Sequence, residues 1–117
     1  EIADDDNAEV CLRDYAIALV KGKRFSVAQS VISMAEEKFP NSSVNKLLQA
    51  EIEYENGNLE NSLNYANECL NTEPNSDNAF AAFLLKGDIY TDKNQYGDAV
   101  SSYESARSID EKLSVLR

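Results

Sequence analysis

The chain has no histidine and no tryptophan, and only two prolines, four glycines, two cysteines and one methionine among 117 residues. Without histidine it lacks the side chain that titrates nearest neutrality and the commonest zinc ligand, so hydrolase and metal-centre chemistry lose their usual parts. Cys11 and Cys69 are separated by 57 residues and belong to no CxxC or Cys/His set. They read as two buried thiols in a reducing compartment. The glycines are isolated, which excludes a phosphate-binding loop and a calcium loop. Ser42-Ser43 and Ser101-Ser102 have no histidine to activate them as nucleophiles. The expectation is therefore a protein that is not an enzyme, with no catalytic residues, no cofactor and no metal.

Two further scarcities bound the class. No apolar run approaches the roughly 18 residues of a membrane helix, and no charged-then-apolar leader opens the chain. No membrane association is expected, and an intracellular, cytoplasmic setting is. Cations are few: 11 Lys and Arg stand against 21 Asp and Glu, a formal net charge of −10. Nucleic acid binding needs clustered Lys and Arg to displace counterions, so nucleic acid is excluded as a partner. The missing initial Met, and the ending Leu113-Ser114-Val115-Leu116-Arg117 that reads as the opening of another helix, are what a piece of a longer protein would show.

What the chain does have is a period. Pro40 and Pro74 stand 34 residues apart, each followed by Asn-Ser, and the same spacing relates Ala28 to Ser62 and Ala35 to Cys69. The pattern resumes at Ala99 and Ala106 three residues late, which a short insertion, Asp77-Asn78-Ala79, accounts for. Such self-similarity outranks local propensity as evidence. Residues 1–7 read as an acidic lead-in whose Asp4, Asp5, Asp6 and Asn7 cap a first helix over about 8–21, stopped by Gly22. Phe25, Ala28, Val31, Ile32, Ala35 and Phe39 recur at helical spacing over about 25–38. Ser42 and Ser43 cap a third helix that breaks at Asn56-Gly57-Asn58, and a fourth runs from Leu59 to just before Pro74. Asn75, Ser76 and Asp77 are cap candidates for the third pair. Connections this short join antiparallel neighbours. The fold class is all-α: an α-solenoid of antiparallel helix pairs with repeats of about 9–42, 43–76 and 80–113, forming one domain over 8–117, then the start of a further helix.

These residues resemble the tetratricopeptide repeat, whose 34-residue unit carries an aromatic, Leu-Gly, Tyr, Ala-x3-Phe and Pro at set positions. The third unit fits best, through Phe83, Lys86-Gly87, Tyr90, Tyr96, Ala99, Tyr103 and Ala106. The first supplies Leu12, Tyr15-Ala16, Leu19, Phe25, Ala28, Ile32, Ala35 and Pro40. The second fits through Gly57, Leu59, Ser62, Ala66, Cys69 and Pro74, but its first helix carries Lys46, Gln49 and Glu53 where the family places large or apolar residues. The resemblance implies that Gly87, Ala16 and Ala50, with Ala28, Ser62 and Ala99, mark close helix approaches. It also implies that Phe83, Tyr90, Phe25 and Tyr103 fill the core.

It further implies a concave ligand groove formed by the first helix of each unit. Carried over, the groove set is Val10, Arg13, Ile17 and Val20; Val44, Leu47, Glu51 and Tyr54; Ala81, Leu84, Asp88 and Thr91. An apolar floor with two acids suits a peptide or helix of another protein that brings basic residues near Glu51 and Asp88. The family's carboxylate clamp for chaperone tails would fall on Arg13, Ile17, Leu48, Ala81 and Leu85, of which one is a cation. The expected function is a protein-interaction scaffold, or adaptor. The alternatives are a structural segment for self-association within a multi-subunit complex, for which Leu113, Val115 and Leu116 speak, and an atypical co-chaperone module without the clamp.

Overall fold

The computed structural model describes the backbone of residues 2–40 and 42–116, with side chains for Ala8, 10–40 and 42–115. Among the described residues six helices follow one another: α1 (Ile2–Lys21), α2 (Phe25–Lys38), α3 (Ser43–Glu55), α4 (Leu59–Thr72), α5 (Asp77–Asp92) and α6 (Tyr96–Leu116). No strand occurs among the described residues. No helix among the described residues is long and apolar enough to cross a membrane.

Three-residue turns fold α1 onto α2, α3 onto α4 and α5 onto α6. All three turns are built alike. Lys23, Gly57 and Asn94 take φ of 61°, 83° and 63°. The next amide reaches back to the carbonyl five residues earlier: Arg24 to Leu19 at 2.9 Å, Asn58 to Glu53 at 2.8 Å, Gln95 to Tyr90 at 2.8 Å. This left-handed closure satisfies carbonyls that a helix end would otherwise leave bare. Gly22, expected to stop α1, precedes the left-handed residue, which is Lys23.

Each pair packs on the next through α2 with α3 and α4 with α5, and α3 also meets α1 and α5. The core is correspondingly serial. Ala16, Leu19, Val20, Ala28, Val31, Ile32, Leu48 and Ile52 form one cluster from α1, α2 and α3. Leu47, Ala50, Ala66, Cys69, Ala82, Leu85 and Ile89 form another from α3, α4 and α5. Helix α3 belongs to both. The extents are 45 × 35 × 22 Å.

The positions expected to be small are buried: Ala16, Ala28, Ala50, Ser62, Gly87 and Ala99. Ser62 shows how close the helices come, its Oγ donating to the Ala50 carbonyl at 2.7 Å. The aromatic expectation is corrected. None of the ten Phe and Tyr residues is buried, and Tyr15, Tyr96 and Tyr103 are exposed. Helices drawn together over Ala, Ser and Gly leave no central room for rings, which cover the margins instead.

Other expectations also shift. Helix α1 begins at Ile2, so from residue 2 onward the lead-in is its first turns, with nothing in the sequence to break it; the side chains expected to cap it lie outside the described ones. Among the described residues no seventh helix starts, because α6 runs on to Leu116 with no Pro or Gly after Gly97 to end it. Cys11 is exposed, while burial and then the charge of Glu73 push the Cys69 thiol up to about 11. Ser76 caps α5 by accepting from the Ala79 amide at 3.1 Å. Ser42 makes no side-chain cap for α3, and Ser43 instead donates to Glu73 and accepts from Asn78 at 3.0 Å.

Candidate functional site

Helices α1, α3 and α5 together line two cavities. The first, about 460 Å³, has a floor of Ile17, Val44, Leu47 and Leu48, with Arg13, Asp14, Lys21 and Glu51 around it and Asp77 and Asn78 closing one end. The second, about 270 Å³, lies among Val20, Tyr54 and Leu85, ringed by Lys21, Lys23, Glu51, Glu55 and Asp88. Lys21 and Glu51 line both, so the two form one run across the three helices.

The structure brings eight of the twelve groove residues to these walls: Arg13, Ile17, Val20, Val44, Leu47, Glu51, Tyr54 and Asp88. Val20 and Leu47 are 7% and 9% exposed, so they form cavity bottoms that a partner would touch only from above. Val10, Leu84 and Thr91 line neither cavity, and Thr91 Oγ1 is spent on its own helix, donating to the Gly87 carbonyl at 2.8 Å. Ala81 packs against the second core cluster.

Lys21, Lys23, Glu55, Asp77 and Asn78 were not in the groove set. Lys21 and Glu55 continue the i, i+4 rows Arg13–Ile17 and Leu47–Glu51, a signal legible in the sequence. Asp77 and Asn78 arrive through the insertion, which lengthens α5 to 16 residues against 13 in α3 and so adds an end wall.

The charges are mixed but lean acidic toward α5. Arg13 Nε donates to Asp14 at 3.3 Å, and Lys23 Nζ reaches Glu55 at 3.5 Å across the mouth. Burial holds the Glu51 carboxyl above its ordinary value, Lys21 opposes this, and Glu55 adds to it. The Tyr54 hydroxyl donates to Asp92 at 2.8 Å, and that bond, with burial and nearby carboxylates, pushes the phenol up to about 12. Tyr103 donates to Asp88, which likewise raises its phenol. Both tyrosines thus hold carboxylates in place as acceptors.

The clamp positions offer a different picture. Leu48 and Leu85 are buried in the core, beside half-buried Arg13, Ile17 and Ala81. Among the described residues no group of three or more His, Cys, Asp or Glu is placed to hold a metal ion. The face sets an apolar floor beside carboxylates, of which Asp88 is held by the Tyr103 hydroxyl. No protein-family model matches the chain, and a search of curated proteins finds no match.

Proposed function

We propose that the chain is a tetratricopeptide-like α-solenoid that serves as a protein-interaction scaffold. Its ligand is a peptide or helix of a partner protein, held along α1, α3 and α5 with a basic residue near Glu51 and Asp88. The observation that carries this reading is the continuous run of two cavities across the three helices, apolar beneath and acidic toward α5. The recurring turn at Lys23, Gly57 and Asn94, and a core passed on through α3, support the stacked-repeat part of it. The atypical co-chaperone alternative gains nothing from the clamp positions, where Arg13 is the one cation and Leu48 and Leu85 are buried.

The test is capture of partners by the full chain and by an E51Q/D88K variant. Asp88 is exposed, so its reversal spares the core. A partner should be retained by the parent chain, lost by the variant and released by salt, with circular dichroism unchanged. Equal capture by both chains would sink the assignment. Leu47 is unsuitable for this purpose, because a charge there would unfold the second cluster.

A second reading, assembly through α6, has its own observation. Tyr96 and Val100 are 61% and 55% exposed on one side of that helix, and Val115 lies open beyond them. Sedimentation should then show concentration-dependent association that Val100→Lys abolishes.

A further inference from the structure

The middle unit departs from its neighbours at two positions of its first helix. Where the first unit has Leu12 and Leu19, and the third Phe83 and Tyr90, the middle one has Lys46 and Glu53. Their ends go to polar partners instead of filling space. Lys46 Nζ lies 3.3 Å from Glu36 and 3.5 Å from Glu68. Gln49 donates to Glu36 at 3.0 Å and accepts from Gln29 at 2.9 Å. Glu53 accepts from Asn61 at 3.2 Å. This polar ladder ties α2, α3 and α4 together without volume, and no Cα of α2 comes within 8 Å of α4.

A cleft of about 820 Å³ is left along α2 and the C-terminal half of α3, larger than either groove cavity. Phe25, Met34 and Ile52 supply its apolar surface, and Met34 stands 57% exposed. Its charged residues are Glu37 and Glu53, neither of which has a cationic partner among the described residues. Glu53 is two residues from Glu51, about 200° around the helix, so the cleft and the groove lie on opposite sides of α3.

We infer that this cleft is a second docking surface, for a partner segment that presents an apolar side chain flanked by Lys or Arg. The open methionine supplies an adaptable apolar contact, and a lining with two acids and no Lys or Arg complements cations and repels anionic segments. A second copy of the chain is disfavoured as occupant, since each carries a net charge of −10.

Met34 is the chain's one methionine, which makes its methyl a unique NMR reporter. The full chain is titrated with a roughly 12-residue synthetic helix of Leu and Lys, and with the same peptide having Glu for Lys. The Lys peptide should shift the Met34 methyl saturably, the Glu peptide should not, and Glu37→Lys should weaken the binding by about fivefold. Asp88→Lys should leave this titration unchanged, which separates it from the groove. A still Met34 methyl, equal response to both peptides, indifference to Glu37→Lys, or a shift produced by protein concentration alone would each overturn the inference.

Discussion

Gly87 cannot accept a Cβ without moving something, because the added atom would sit 2.4 Å from the Tyr103 ring. The ring is a side chain at the surface, so Gly87→Ala should swing it outward and break its bond to Asp88. The cost should fall near the low end of the overpacking range, about 1 kcal/mol. Urea denaturation checks this, and the loss should be smaller on a Tyr103→Ala background if the two are coupled. Lys23 is the complementary case, a side chain held at φ 61° where its two counterparts are Gly57 and Asn94. Lys23→Gly should raise stability by about 1 kcal/mol in the same assay by removing the left-handed penalty. Gly22 was a reasonable place to end α1 from sequence, but the turn needs its left-handed residue one position later. Glycine marks where the chain can bend, and the hydrogen bonds from Lys23 and Arg24 decide which residue does.

At the scale of helices, the breaks were legible wherever a breaker stood: before Phe25, at Asn56-Gly57-Asn58 and ahead of Pro74. Both outer ends were not. Residues 2–7 and 110–116 contain neither Pro nor Gly, so α1 and α6 extend past the bounds that the period assigns them. Depth was also hidden, since helical spacing says which residues share a face and nothing of how closely two faces approach. Ser62 measures that approach between α4 and α3, and its bond to the Ala50 carbonyl is fully buried. Ser62→Ala should cost about 1 kcal/mol by leaving that carbonyl with one acceptor site unused. Ser62→Leu should cost more, since the contact has no room for bulk. Thermal melts of the two variants against the parent give the ordering. Of the cavity-lining residues, Arg13, Ile17, Val20, Val44, Leu47, Glu51, Tyr54 and Asp88 are ones the family resemblance names, whereas Asp77 and Asn78 are not, because they come from the insertion that interrupts the period.

For the molecule as a whole, charge governs the response to pH. Glu51 is held above its ordinary value chiefly by burial, so its folded form binds a proton more readily than its unfolded form. Its favourable contribution is present below the unfolded value and is lost as pH rises through the folded one. Glu51→Gln, neutral throughout, should therefore be the more stable chain at neutral pH, and its advantage should shrink as pH falls toward about 4.5. Melting curves across that window decide it, and a constant difference would contradict the burial argument. Connectivity governs the rest. Every contact between the α1–α2 end and the α5–α6 end is relayed by α3, flanked by two separate apolar clusters. Heat or a mechanical pull at either tip should fray that tip while the opposite one holds. Loosening the shared helix, by contrast, releases both halves in a single event.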